Sequence, residues 1–160
     1  MTDYTGQQWG SYRLLRLLGR GAFADVYLGE HVYLGTQAAI KILTTQLSEH
    51  EIAHFREEAR IIYDLEHPNI VRVLDFGVEN HIPFIVMRYA PGGAVRTQHP
   101  RGTALPVQTV VQYIKQIAAA LQYAHDRKLI HRDVKPENML LGRNNELLLS
   151  DFGIVTAAHT

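Results

Sequence analysis

The stretch His131-Arg132-Asp133-Val134-Lys135-Pro136-Glu137-Asn138, with the triplet Asp151-Phe152-Gly153 eighteen positions after Asp133, constrains this chain more than any other feature. The triplet sits just beyond the apolar run Leu147-Leu148-Leu149, and a similar run, Met139-Leu140-Leu141, follows the first motif. Gly142-Arg143-Asn144-Asn145 supplies turn residues between the runs, which predicts a small hairpin. A solvated polar loop would account for these charges but not for their order and spacing. A carboxylate to orient a hydroxyl, a lysine to offset charge on a phosphoryl oxygen, and an Asn and an Asp to hold magnesium are the parts that phosphoryl transfer needs. Asp133, Lys135, Asn138 and Asp151 are the candidates for those roles.

The rest of the composition narrows the setting. A length of 160 residues with an apolar fraction of 46% suits a single domain that buries a core. Sixteen basic and sixteen acidic side chains cancel, which removes the electrostatic footprint of a nucleic-acid binder or a polybasic membrane anchor. The absence of cysteine excludes a disulfide framework and a thiolate metal site. The start Met1-Thr2-Asp3-Tyr4 lacks the basic and apolar regions of a signal peptide, and no apolar run approaches bilayer length. A soluble cytoplasmic chain is expected, with a membrane span downstream of residue 160 left open.

The turn-rich break Ala90-Pro91-Gly92-Gly93 separates two differently patterned halves and marks a hinge between two lobes. Before it, Tyr12 to Leu18, Val26 to Leu28, Ala38 to Leu43, Ile70 to Leu74 and Ile82 to Met87 read as five antiparallel strands. Ser48 and Glu51 form a capping box that opens a helix to about Leu65, with Ile52, Phe55, Ala59 and Ile62 on one face; His67-Pro68-Asn69 ends it. After the hinge, Pro106 suits the first turn of a long helix reaching about Arg127, with Val110, Ile114, Ile117, Leu121 and Ala124 at helical spacing.

Two further groups bear on chemistry. In Gly19-Arg20-Gly21-Ala22-Phe23-Ala24-Asp25-Val26, glycines let backbone amides approach phosphate oxygens, although the segment by itself reads equally well as a hairpin turn. Lys41 ends Ala38-Ala39-Ile40-Lys41 in an otherwise apolar strand, so its ammonium needs a counter-charge or a path to water. Glu58 is the natural partner because Ile62, four residues on, shares its apolar face; neighbouring Glu57 is the other candidate.

Taken in order, Gly19 to Val26, Ala39 to Lys41, Glu58, His131 to Asn138 and Asp151 to Gly153 closely resemble the protein kinase family, most strongly its bacterial serine/threonine kinases of eukaryotic type. The lysine at position 135 resembles the serine/threonine branch. The resemblance implies an α+β, bilobal kinase-like fold: a tail over 1–11, an N-terminal lobe over 12–87 with a five-stranded antiparallel sheet and one helix, a hinge over 88–93, and a partial helical C-terminal lobe over 94–160. It implies ATP and Mg2+ as cofactors and a protein with a Ser/Thr hydroxyl as substrate. Leu18, Gly19, Gly21, Val26, Ala39, Lys41, Glu58, Met87, Tyr89, Ala90 and Leu140 would serve the nucleotide. Met87 resembles the gatekeeper, and Arg88-Tyr89-Ala90 the segment whose backbone bonds adenine. Val26, Ala39 and Leu140 resemble the adenine sandwich; Ile62, His131 and Phe152 resemble part of the spine joining the lobes. Asn138 and Asp151 would take the metal, while Asp133 and Lys135 would act on the reacting groups.

Some features pull elsewhere. A second Asp-Phe-Gly at Asp75-Phe76-Gly77 is expected in a turn after the fourth strand. His50-Glu51-Ile52-Ala53-His54 matches the zinc-protease pattern His-Glu-x-x-His, which makes a zinc hydrolase the remote alternative. Thr156 and Thr160 lie where such kinases are phosphorylated, and Arg132 could pair with a phosphate there. Nothing after Thr160 supplies the Ala-Pro-Glu segment or the covering helices that the resemblance implies. The expectation is therefore an amino-terminal piece of a kinase, inactive or nearly so as an isolated chain. The alternative is a non-catalytic ATP-binding module.

Overall fold

The computed structural model describes residues 2–152, which divide into two compact units. Val73–Tyr89 joins the residues up to Asp64 in the first; Leu65–Arg72 joins the residues from Ala90 onward in the second.

The first unit is a six-stranded antiparallel sheet and one helix. The strands are β1 (Gln8–Trp9), β2 (Tyr12–Arg20), β3 (Ala24–His31), β4 (Gln37–Leu43), β5 (Val73–Glu79) and β6 (Ile82–Arg88), in the order β1-β2-β3-β4-β6-β5. The expected sheet had five strands; the sixth, β1, lies in the segment expected to be a tail. Its signal is aromatic rather than periodic. Trp9 stacks edge-on against Phe84 at 5.6 Å and Tyr4 against Trp9 at 5.0 Å, so the N-terminal segment completes a core with Tyr12, Leu14, Tyr27, Ile40 and Val86.

β5 begins at Val73 rather than Ile70, and Asp75-Phe76-Gly77 lies inside it rather than in a turn. A bulge between Val73 and Asp75 interrupts its pairing with β6. Gly77 is there for packing: a Cβ would meet the Phe84 ring at 2.7 Å. Helix α1 (Glu49–Tyr63) opens with the expected capping box, Ser48 accepting from Glu51 N–H while Glu51 accepts from Ser48 N–H. It buries Ile52, Phe55, Ala59 and Ile62.

The second unit contains α2 (Val95–Gln98), α3 (Val107–Asp126), a 3-10 turn at Pro136–Asn138, and the hairpin of β7 (Met139–Leu141) and β8 (Leu147–Leu149). Pro106 caps α3 from outside instead of occupying its first turn. Only Ala120 and Ala124 of α3 are buried; Val107, Val111 and Ile114 form an exposed stripe. Segment 65–72 is sewn to this unit. Ile70 bridges Leu149, Asn69 O accepts from Leu149 N–H, and Asn69 Nδ2 donates to Gln116 Oε1 and Leu147 O. Among the described residues no helix is long and apolar enough to cross a membrane.

Candidate active site

The first unit carries the glycine-bearing hairpin and Lys41. Gly21 N–H donates to Ala24 O at 2.8 Å and closes the tip, while Thr44 N–H donates to Phe23 O at 2.9 Å and ties the tip to the end of β4. Arg20 and Asp25 are cross-strand partners at its base, with an ion pair of 3.1 Å. Val26 lies opposite Gly19 on β2 and Lys41 on β4, and Lys41 lies opposite Ile85. Two residues along, Leu28, Ala39 and Met87 oppose one another. Directly opposed residues project to the same side of a sheet, so Val26, Ala39, Lys41 and Met87 share one face. Ala38, Ile40 and Ile42 project into the aromatic core on the other.

Helix α1 covers the Lys41 face. Phe76 opposes Ile85 in the same row as Lys41, and the Phe55 ring packs edge-on against Phe76 at 6.5 Å. Of the two glutamates, Glu57 is 69% exposed and pairs with Arg60, whereas Glu58 is 27% exposed. Glu58 is the inward one. Leu18 and Tyr89 are half-buried, and Gly19 and Gly21 are exposed. The His-Glu-x-x-His pattern gathers no metal site: Glu51 is committed to Ser48, His54 lies 3.7 Å from Glu58, and no cluster of three or more ligating His or acidic residues occurs among the described residues.

The second unit holds the two acidic motifs together. Asn138 Nδ2 donates to both Asp133 O and Asp133 Oδ2, at 2.9 and 3.0 Å, and Lys135 Nζ lies 3.3 Å from Asp133 Oδ2. Both Asn138 bonds use its amide nitrogen, so Oδ1 is the atom it can offer a cation. Ser150 N–H and Oγ–H donate to Asn138 O, and Oγ also lies 3.3 Å from Asp151 Oδ2. Ser150 thus couples the two motifs across the end of the β7–β8 hairpin. Nothing in the sequence except its place beside Asp151 pointed to it.

His131 is buried beneath this loop. Its Nδ1 accepts from Asp133 N–H, which leaves the proton on Nε2 for a short bond to Ser150 O, and its ring stacks edge-on against Phe152 at 4.6 Å. Arg132 and Asp151 have φ of 75° and 62°, left-handed values that cost roughly 1 to 3 kcal/mol each without glycine. The flanking bonds of His131, Asn138 and Ser150 hold them there. Hydrogen bonding to its own backbone amide and to Arg96 keeps the Glu137 carboxyl below its usual range. Ala90 is buried and Leu140 half-buried: Ala94 bridges Leu140, and Gly92 approaches Leu141 so closely that a Cβ would lie 2.6 Å from its carbonyl oxygen. Gly153, Thr156 and Thr160 lie outside the described residues.

The family described as the protein kinase domain matches residues 12–160. This chain belongs to the protein kinase family. Among its relatives, the serine/threonine-protein kinase PrkC of Bacillus subtilis (strain 168) is 37% identical over 150 residues, covering 92% of this chain and 23% of PrkC. Serine/threonine-protein kinase Pkn1 of Myxococcus xanthus is 38% identical over 159 residues, covering 96% and 23%. The crystal structure of the Mycobacterium tuberculosis PknI kinase domain superposes with a TM-score of 0.82 at 32% identity, covering 96% of this chain and 64% of that one. The chain therefore spans about a quarter of the length of these curated relatives. Protein kinases generally use ATP and Mg2+. The donors here fit that metal: Asn138 and Asp151 offer oxygen only, and Mg2+ is typically held by one or two carboxylates together with substrate phosphates.

Proposed function

We propose that this chain carries the nucleotide-binding and hydroxyl-orienting half of a serine/threonine protein kinase. The observation that carries the reading is the Asn138–Asp133–Lys135 cluster, joined through Ser150 to Asp151. Asp133 accepts and orients the proton of the attacking hydroxyl, held in place by Asn138 Nδ2. Lys135, already beside Asp133, offsets charge on the transferring group. Asn138 and Asp151 would hold magnesium, which supplies charge neutralisation at the phosphates when bound. In the first unit Lys41, fixed by Glu58, engages the phosphates, and the Gly19–Val26 hairpin offers them backbone amides. Leu18, Val26, Ala39, Met87 and Tyr89 are the first unit's residues for adenine and Ala90 and Leu140 the second unit's, and the protein acts on a Ser or Thr hydroxyl in the cytoplasm.

A second reading, a nucleotide-binding module without transfer, draws support from the exposed stripe Val107, Val111 and Ile114, because a helix with uncovered apolar surface suits a scaffold that does not close by itself. Melting with and without Mg-ATP, paired with radiolabel transfer to a generic basic protein, separates the readings. We expect an Mg-ATP-dependent rise in Tm that is lost in Lys41→Met and Asp151→Asn, with little transfer by the isolated chain. Transfer abolished by Asp133→Ala would restore full catalytic competence to this chain; no Mg-ATP shift at all would remove both readings.

A further inference from the structure

Next to the Asp133 cluster stands a charge arrangement that the phosphoryl-transfer chemistry does not use. Glu137, in the 3-10 turn, is approached by two guanidiniums at the same oxygen: Arg96 Nε at 3.2 Å and Arg101 at 3.7 Å from Oε1. The backbone holds Arg96 there. Gly92 N–H donates to Leu141 O, Leu141 N–H to Gly93 O, and Val95 is buried against Leu141 and Leu147, so α2 is pinned to the β7–β8 hairpin. One carboxylate neutralises one charge, and a net positive charge remains. Arg101 is 82% exposed, and Arg96 approaches through Nε, which leaves its two terminal nitrogens to bond a further acceptor. Arg132 and Lys135 lie on the same loop as Glu137, so Arg96, Arg101, Arg132 and Lys135 are set against Asp133, Glu137 and the coupled Asp151, four cations to three anions.

Glu137 is four residues from Asp133 in sequence, so even an extended chain would separate them by no more than about 14 Å. A peptide advancing about 3.4 Å per residue would meet the arginines within roughly five residues of its acceptor hydroxyl. A lysine or arginine of the substrate would face two guanidiniums for the one carboxylate; an aspartate or glutamate would face their unspent donors. We propose that Arg96 and Arg101 form a specificity site for a substrate peptide with a carboxylate side chain within about five residues of the acceptor. The inference rests on Asp133 orienting that acceptor, as in the proposed function. Glu137 is the positioning residue that holds the pair.

The test is fluorescence anisotropy of the 160-residue chain with two labelled peptides that share a central threonine, flanked in one by Glu and in the other by Arg. The Glu-flanked peptide should bind roughly fivefold tighter at low ionic strength, the scale of exposed ion pairs. That ratio should narrow in R101E, whose exposed site puts no folding at risk, and invert in R96E/R101E. It should stay unchanged in R143E, which alters net charge equally but lies in the hairpin turn. Equal binding, no binding, tighter binding of the Arg-flanked peptide, or a preference that survives R96E/R101E would overturn the proposal. Mg-ATP melting of the same samples keeps the two ideas apart. A retained thermal shift with no peptide preference sinks this inference alone, and a missing shift sinks the proposed function whichever peptide binds.

Discussion

At the scale of single residues, the 131–138 loop is held by a small set of buried and half-buried bonds that leave few alternatives. His131 accepts from Asp133 N–H and donates to Ser150 O, so one ring holds both acidic motifs. Its replacement by Leu would leave the half-buried Asp133 N–H and the buried Ser150 carbonyl without this partner, and we expect a loss of roughly 2 kcal/mol, read as a lower denaturation midpoint. Asn138→Ala should instead act mainly on metal and geometry. It removes the donor to Asp133 and, on the proposed function, one oxygen that would hold the metal, so the Mg2+-dependent part of any ATP-induced Tm shift should vanish while the shift with ATP alone persists. Lys135→Ala breaks only a half-exposed contact with Asp133 and should leave the midpoint within about 0.5 kcal/mol of the parent.

Among the elements, α1 and β1 show how differently two parts of the first unit announce themselves. The α1 start was legible because a capping box is a local device: Ser48 and Glu51 satisfy each other's backbone whatever lies beyond. Ser48→Ala should cost about 1 kcal/mol in chemical denaturation. β1 was not legible, because Gln8–Trp9 is two residues long and owes its strand to distant partners, Phe84 above all. Trp9→Ala should cost about 3 kcal/mol, far more than a tail residue would, and the same assay measures it. β5 illustrates the converse. Ile70 and Val71 continue the apolar run into Val73, yet they bond to Leu149 in the second unit, and the strand starts later.

For the molecule as a whole, the link between segment 65–72 and α3 makes the second unit sensitive to acid. His67 packs against Tyr123 at 5.1 Å and accepts from Asn69 N–H through Nδ1; burial, then the nearby Arg127 guanidinium, lower its pKa below the ordinary 6.5. The folded state therefore favours neutral His67. Its contribution is complete above about pH 6.5 and is lost as pH falls from there through the lowered folded value. Denaturation midpoints at pH 7.5 and 5.5 should differ less in His67→Asn, which keeps an acceptor but cannot be protonated, than in the parent. A variant with the parent's pH dependence would show that the acid sensitivity lies elsewhere.

The grouping of Asp133, Lys135, Asn138 and Asp151 was determined by the sequence itself, because chemistry demands particular side chains and short loops hold them at short range. So were the hairpin between the two motifs and the helix after Ser48, whose signals are local turn residues and caps. Only the tertiary structure decided that Asp75-Phe76-Gly77 is strand, that the N-terminal segment adds a sixth strand, and that Ser150 couples Asn138 to Asp151. The sixth strand depends on Phe84, far along the chain, and burial against a distant partner leaves no periodicity for a sequence to display.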